Sequence, residues 1–242
     1  MGRDSVEPIL IRAREDSRPT EKYIVNKGLF ISFEVTEGCG KSTQIKLLAD
    51  RLQSLGHRVR TLREPGGTPI GEEIRHTLKH SQQNHAMTAE AELLLMNASR
   101  AQLVRELIRP ALAAGEIVVS DRFYDSTTAY QGHGRELNLA HVKSVIDFAV
   151  GDTRPALTLF LHVPPEVSEL RLRSRQENLP FVRDRIEEAD QKFFERVAHG
   201  FSVIAASEPQ RVKSINGAQS VETVCASIWE TVQPMLPRIG RW

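Results

Sequence analysis

The sequence predicts an α/β fold in which helices flank a five-stranded parallel sheet in three layers and a small mobile lid projects from it. Three observations predict this fold. Apolar runs of strand length alternate with helical periodicity from Gly28 onward, turn residues separate them, and a Gly-Lys-Ser sequence joins the first strand to the first helix. Strands that alternate with helices form βαβ units, in which right-handed crossovers connect parallel strands. Ligands in such sheets bind beyond the carboxyl ends of the strands.

Apolar runs predict the strands, and helical spacing of apolar residues predicts the segments between them. The strands are expected at residues 29–33, 57–64, 117–119, 157–163 and 212–215. The helices are expected at residues 41–55, 70–80, 89–114, 138–150, from 164–165, at 185–207 and from 221. Residues 28–242 therefore form one predicted domain. Residues 1–27 mix acids and bases and are expected to be a flexible tail, with a partner-binding arm as the alternative.

Two helices carry local signals. In helix 41–55 the apolar residues on one side are Ile45, Leu47, Leu48 and Leu52, so this side is expected to face the sheet. Pro110 is expected to break or kink helix 89–114, because proline lacks the N–H that a helix interior needs.

Composition excludes several classes of protein. The 242 residues include 32 Lys and Arg against 31 Asp and Glu, so no strong positive field attracts nucleic acid or an anionic membrane. No apolar run approaches the ~20 residues that span a bilayer. Two cysteines, Cys39 and Cys225, exclude a disulfide framework and fit the reducing cytoplasm. Nucleic acid and membrane are therefore not expected partners.

The segment between the first strand and the first helix has the end of a phosphate-binding loop. Bare backbone N–H groups, a helix N-terminus, a lysine and a hydroxyl that ligates Mg²⁺ are what nucleoside triphosphate binding requires. Residues 37–43 are expected to bind the nucleotide: Glu37, Gly38, Cys39, Gly40, Lys41, Ser42 and Thr43. The alternative interpretation is an ordinary turn with an incidental Gly-Lys-Ser. ATP with Mg²⁺ is the predicted cofactor.

Val35 departs from this signature, which places glycine there. A valine is stiff and branched where the chain must leave the strand and pass close to phosphate. If the backbone at Val35 requires a positive φ, the valine is strained there. If φ is negative, only its methyl groups interfere, by pressing on the loop or the nucleotide. We expect weakened ATP binding or slowed phosphoryl transfer in a protein that still folds, with a sheet core that does not depend on this side chain.

Polar residues follow the second and third strands and would face the phosphate loop across the sheet edge. Residues 63–68 read Arg-Glu-Pro-Gly-Gly-Thr, and residues 121–126 read Asp-Arg-Phe-Tyr-Asp-Ser. Asp121 ends an apolar strand, where a carboxylate that orients Mg²⁺ is expected together with Ser42. The alternative is an aspartate that caps the next turn.

Five arginines surround the predicted lid at about 173–185. They are Arg171, Arg173, Arg175, Arg183 and Arg185. A basic solvated helix face is the plain interpretation. A reaction that joins two polyphosphates, however, requires neutralisation of many anionic oxygens, which arginine provides bidentately. Arg173, Arg175 or Arg183 is therefore a candidate for a catalytic arginine that arrives when the lid closes.

Together these motifs resemble the bacterial branch of the thymidylate kinase family, P-loop enzymes that phosphorylate dTMP to dTDP with ATP. The resemblance runs from Leu29 to about Phe201 and includes, besides the stretches above, Ser99-Arg100-Ala101-Gln102, Ala129-Tyr130-Gln131-Gly132, Pro164-Pro165-Glu166 and Asp184-Arg185-Ile186-Glu187. It implies a homodimer packed through helices. It also implies that the catalytic arginine comes from the lid, because Gly38 occupies the position where another branch carries a loop arginine.

The resemblance also implies substrate contacts. Lys41 and Arg122 would act in catalysis, and Glu37 would lie near the acceptor sugar. The implied dTMP-binding residues are Glu37, Glu64, Arg75, Met96, Arg100, Arg122, Ser126, Tyr130 and Gln131. Gln131 would contact the thymine edge. Met96 stands where the family places a phenylalanine that stacks on thymine, and His162 where an aspartate is common.

Two other functions compete with this one. A deoxynucleoside kinase would phosphorylate a sugar hydroxyl and would need a general base, whereas an arginine-rich site suits an ionised phosphate acceptor. A degenerate nucleotide-binding protein without turnover would explain Val35 and Met96. The presence of Lys41, Ser42 and Asp121 argues against loss of activity.

Overall fold

The computed structural model describes residues 28–35, 40–164, 167–168, 171, 185–186 and 188–237. Its five strands are β1 (Leu29–Val35), β2 (Val59–Arg63), β3 (Ile117–Asp121), β4 (Leu157–His162) and β5 (Val212–Asn216). All neighbouring pairs are parallel, in the order β2-β3-β1-β4-β5. The predicted five-stranded parallel sheet is confirmed.

Helices occupy the segments between the strands. The described α-helices are α1 (Lys41–Ser54), α2 (Pro69–Lys79), α3 (Ala89–Leu103), α4 (Arg109–Ala113), α5 (Tyr124–Thr127), α6 (Leu139–Val150), α7 (Gln191–Ser207) and α8 (Val221–Val232). Two π-helical segments, Val104–Ile108 and Thr128–Gly134, and two short 3-10 turns, Asn84–Ala86 and Gln233–Met235, complete them. Side-chain caps set several helix starts; Thr68 accepts from the Gly71 amide at 3.0 Å and Asp190 from the Phe193 amide at 2.7 Å.

The sheet is buried on both faces because helices cover each of them. All seven residues of β1, the central strand, are buried. One apolar cluster joins β1 to α1 and α8 through residues such as Leu52 and Ile228. A second cluster joins the opposite face to α3 and α6 through residues such as Leu103 and Ile146.

Three expectations about the helices are wrong. Leu47 is 36% exposed, because Gln44 and Ala49 instead complete the buried side of α1 with Ile45, Leu48 and Leu52. Helix 185–207 begins only at Gln191, where Asp190 caps it. The interruption in helix 89–114 is the π-helical segment Val104–Ile108, which precedes Pro110; the proline then lies in the first turn of α4, where its missing N–H costs nothing.

The segment after β3 was expected only as a polar stretch, and the structure makes it helical. The short α5 passes directly into the π-helical segment Thr128–Gly134. The predicted tail at residues 1–27 and nearly all of the lid at 173–185 lie outside the described residues, as does the start of the helix expected from Pro164-Pro165. No described helix has the length and apolar character needed to cross a bilayer.

Candidate active site

The ion pair between Lys41 and Asp121 connects the two motifs that the sequence placed at one sheet edge. The Lys41 Nζ donates to Oδ1 of Asp121, although 80 residues separate them in the chain. Asp121 is the last residue of β3 and lies in register with Phe33 of β1. Lys41 opens α1, so the pair links the end of the sheet to the start of the helix.

The N-terminus of α1 lies at the same edge of the sheet and has features of an anion-binding helix end. Gly40 precedes the helix with φ 76°, makes no side-chain cap and has open space where a Cβ would lie. The first turn contains no acidic residue, and Ser42 and Thr43 are exposed in it. A helix N-terminus with no acidic residue in its first turn attracts anions, because its dipole and its backbone N–H groups favour negative charge. Glu37, Gly38 and Cys39, which the sequence assigned to the same loop, lie outside the described residues.

Val35 is part of the sheet. It is the last residue of β1, pairs with Leu161 of β4 and is 2% exposed. Its φ is not positive, so the strain considered above does not arise. The expectation that the core does not depend on this side chain is wrong, because Val35 packs within the apolar cluster that joins β1 to α1 and α8.

A cleft lies beside this edge, with about 530 Å³ of empty space up to its open mouth. It is lined by Glu64, Pro65, Lys79, Met96, Arg100, Arg122, Ser126, Thr127, Tyr130, Gln131 and Ile186. Seven of the residues predicted to bind substrate are therefore brought together. Arg75 is not among the lining residues, but its Nη1 donates to the carbonyl oxygen of Pro65, which is, at 2.8 Å.

Arg122 projects into the cleft from an unusual backbone conformation. Its φ is 69°, in the left-handed region that non-glycine residues seldom adopt. The backbone is held there because its amide donates to the Phe33 carbonyl oxygen at 2.9 Å and its own carbonyl oxygen accepts from Ser120 Oγ at 2.7 Å. The guanidinium donates to Ser126 Oγ at 3.1 Å and lies 5.0 Å from the centre of the Tyr130 ring. Backbone strain of this kind is typical of functional positions.

Glu34, beneath Arg122, organises the same turn. Its carboxyl group is fully buried and accepts from the Phe123 amide at 2.7 Å and from Ser126 Oγ at 2.5 Å. Burial, with a smaller contribution from Asp125, raises the pKa of Glu34 to about 7. Glu34 was not among the site residues predicted from the sequence; an acid within an otherwise apolar strand was the available signal.

Arg100 is also buried, and its donors are occupied. It donates to Glu64 from Nε at 2.8 Å, to Asn97 and Thr127 from Nη1 at 2.9 and 2.8 Å, and to the Phe123 carbonyl oxygen from Nη2 at 3.2 Å. Burial raises the pKa of Glu64, and its Oε1 has no hydrogen-bond partner among the described residues. Arg100 therefore fixes neighbouring residues by hydrogen bonds and also lines the cleft.

Tyr130 and Gln131 lie in the π-helical segment after α5. Such segments widen a helix and are frequent at functional sites. Gln131 is 2% exposed, and its amide donates to Glu92 of α3 at 2.7 Å. Met96 lines the cleft from the same helix α3. Glu92 was not singled out from the sequence, because an acid on a helix is usually a solvated residue.

The arginines of the predicted lid are only partly described. Arg173, Arg175 and Arg183 lie outside the described residues. Arg171 donates to the Gly217 carbonyl oxygen at 2.9 Å, and Arg185 forms an ion pair with Glu92. Pro65, Lys79, Thr127 and Ile186 line the cleft but were not predicted. Pro65 follows a predicted site residue directly and Thr127 follows Ser126, so adjacency was the available signal for these two.

Comparison with known proteins relates the chain to one family. The family model described as thymidylate kinase matches residues 33–228. The chain is 47% identical over 208 residues to a thymidylate kinase of Syntrophotalea carbinolica, covering 86% of this chain and 96% of the relative. It is 45% identical over 208 residues to one of Synechococcus sp. strain JA-3-3Ab, covering 86% and 97%. The crystal structure of thymidylate kinase from Ehrlichia chaffeensis superimposes with a TM-score of 0.68 at 30% identity, covering 85% of this chain and 98% of that one.

Proposed function

The chain belongs to the thymidylate kinase family, and from this we propose that it phosphorylates dTMP with ATP at the cleft beside the Lys41–Asp121 pair. The observation that carries the proposal is the meeting of two anion-binding elements at one sheet edge. The N-terminus of α1, whose first turn has no acidic residue, forms one element together with Lys41. The guanidinium of Arg122, held in a strained turn within the cleft, forms the other.

The nucleotide triphosphate would occupy the α1 side. The amides of the first turn and Lys41 would bind the phosphates of ATP, with Gly38, Cys39, Gly40 and Thr43 as neighbouring contacts. Mg²⁺ fits the donors there, because Ser42 offers an exposed hydroxyl and Asp121 a carboxylate within reach of Lys41. The metal would neutralise charge on the phosphate oxygens during transfer.

The cleft would hold dTMP. Arg122 would position and neutralise the acceptor phosphate, and Ser126 orients its guanidinium. Tyr130, Met96 and Gln131 would surround the base and sugar, with Glu64, Arg75 and Arg100 shaping the phosphate end. A phosphate acceptor is already ionised near neutral pH, so neutralisation of charge is what the site must supply.

We further propose that the protein is a cytoplasmic homodimer. The neighbouring helices α3 and α6 expose large apolar residues: Phe148 of α6 is 85% exposed and Leu94 of α3 is 58% exposed. The two helices are neighbours, since Arg105 Nη1, directly after α3, donates to the Ala149 carbonyl oxygen of α6 at 2.7 Å. An exposed apolar patch of this kind marks an interaction surface, and a second copy of the chain is its proposed occupant.

A coupled assay of ADP release tests the proposed function. Purified protein with ATP and Mg²⁺ is given dTMP, dUMP, thymidine or no acceptor. We expect ADP release to be fastest with dTMP, which should be preferred over dUMP. Faster turnover of thymidine would identify a deoxynucleoside kinase, and release that is equal with and without every acceptor would refute the proposal.

A further inference from the structure

We propose that Glu92 determines which base the cleft accepts, because it fixes the orientation of the Gln131 side-chain amide; this rests on the proposed function in that Gln131 faces the base. Glu92 lies on α3 with no solvent exposure. Its Oε1 accepts from Nε2 of Gln131 at 2.7 Å. Glu92 does not line the cleft itself, so it acts as a positioning residue.

The chemistry of Glu92 allows one orientation of this amide. Arg135 donates to both carboxylate oxygens, from Nε at 3.3 Å and from Nη2 at 3.1 Å, and Arg185 donates to Oε2. Both carboxylate oxygens of Glu92 face N–H donors of guanidinium groups, and a carboxylate in such charge-assisted pairs only accepts hydrogen bonds. Gln131 must therefore turn its NH₂ group toward Glu92, since its carbonyl oxygen would face a second acceptor in the reversed orientation.

The remaining polar atom of the amide is then a hydrogen-bond acceptor. Gln131 lines the cleft, and with its Nε2 on Glu92 its side-chain carbonyl oxygen is the atom we infer to meet a ligand there. The backbone is also fixed, because the Gln131 carbonyl oxygen of the main chain accepts from the Leu137 amide at 3.3 Å. Thymine and uracil carry an N3–H donor, whereas N3 of cytosine is an acceptor. A site that presents an acceptor at this edge leaves cytosine with two opposed acceptors, which is costly in a buried pocket.

Calorimetric titration of the full-length protein with dTMP, dUMP and dCMP tests this inference without requiring turnover. In Glu92→Gln the residue at 92 can accept as well as donate, so the Gln131 amide is free to reverse. We expect the ratio of dCMP to dTMP dissociation constants to fall about tenfold or more. The ratio of dUMP to dTMP should stay unchanged, because both bases carry the N3–H donor.

Arg135→Gln is the matched control. It removes a partner of Glu92 without touching Gln131, and should lower thermal stability while leaving the dCMP to dTMP ratio within about threefold, the usual context error of such effects. An unchanged ratio in Glu92→Gln overturns the inference. An equal fall of this ratio in Arg135→Gln also overturns the inference, because loss of an ion pair of Glu92 would then explain the effect.

The exchange variant Glu92→Gln with Gln131→Glu keeps the inference testable if Glu92→Gln does not fold. The new glutamate would accept from the new amide and still present an oxygen to the cleft, so the preference for dTMP over dCMP should return. Loss of that preference in the folded exchange variant overturns the inference. Failure of wild-type turnover with intact discrimination in binding would refute the proposed function alone.

Discussion

At the scale of single residues, the site depends on groups that the structure removes from water. Glu34 and Glu64 are both buried carboxyl groups next to arginines, and each has a raised pKa because burial disfavours its charged form. Each accepts a hydrogen bond that fixes a residue beside the cleft: Glu64 accepts from Arg100, and Glu34 accepts from the Phe123 amide. Because such buried groups have shifted pKa values in the folded state, the stability of the protein depends on pH.

Glu34 predicts a pH-dependent stability. In the unfolded chain its pKa is near its ordinary value of 4.5, and in the folded protein it is about 7. Between these values the folded state binds the extra proton, so the contribution of protonated Glu34 is present below pH 4.5 and is lost as the pH rises to about 7. Relative to Glu34→Gln, the free energy of unfolding of the wild type should fall by up to about 3 kcal/mol as the pH rises across this window. Urea unfolding from pH 4.5 to 8 measures the difference, and a constant difference would contradict the prediction.

Val35→Gly is predicted to have opposite effects on stability and activity. Removal of a buried side chain from the sheet core should lower the free energy of unfolding by about 2–3 kcal/mol. Because the phosphate-loop signature places glycine at this position, the substitution should raise kcat/KM for ATP, with a smaller effect on the affinity for dTMP. Denaturant unfolding and steady-state kinetics measure the two effects. Equal ATP kinetics in both proteins would show that the loop tolerates valine.

At the scale of elements, the π-helical segment Thr128–Gly134 places Tyr130 and Gln131 because α7 packs closely against it. A Cβ on Gly134 would lie 2.6 Å from Phe193 Cε2 and 2.8 Å from Val197 Cγ2. A Cβ on Gly200 of α7 would meet His133 at 2.8 Å. Glycine is required at these positions for the approach of the two elements.

Gly134→Ala is therefore predicted to destabilise the protein by about 1–3 kcal/mol, as overpacking does. Displacement of the π-helical segment Thr128–Gly134 should also raise KM for dTMP more than KM for ATP, because this segment lines the cleft and not the α1 side. Ser202→Ala on the exposed side of α7 is the control and should change stability by less than about 0.5 kcal/mol. Equal stability of Gly134→Ala and wild type would show that the interface can relax.

The lid arginines carry a second prediction at this scale. Alanine at whichever of Arg173, Arg175 or Arg183 is the catalytic residue should lower kcat far more than it weakens ATP binding. Catalytic arginines contribute about 10³–10⁵ in rate in related chemistry. Single-turnover rates and ATP titrations of the three variants separate the two effects. Full kcat in all three would exclude these arginines from the mechanism.

At the scale of the whole molecule, the exposed apolar face of α3 and α6 predicts self-association. Light scattering after size exclusion should give a mass of twice 27.2 kDa for the wild type. The double variant Leu94→Ser and Phe148→Ser should give a monomer with unchanged helix content. Val203→Ser, which replaces a 41% exposed residue of α7, is the control and should remain dimeric. A monomeric wild type, or a dimeric double variant, would contradict the proposed interface.

The sequence by itself determined the α/β class, the five parallel strands and the two motifs at their carboxyl ends. It could do so because strand runs, helix periodicity and glycine-rich turns are local properties of the chain. The family could also be identified from these motifs, since their order and spacing are specific. The specific order and spacing of the motifs also explains why seven of the predicted substrate-binding residues line the cleft.

Only the tertiary structure decided the rest. The contacts of Glu34 with Phe123 and of Glu92 with Gln131 join residues that lie 89 and 39 positions apart. Neither acid has a local signature, because burial and partner choice arise from packing between elements. Likewise the place of Val35 in the core depends on its pairing with Leu161 of β4. Long-range contacts, which no local pattern encodes, convert a recognisable set of motifs into a site with defined charges and orientations.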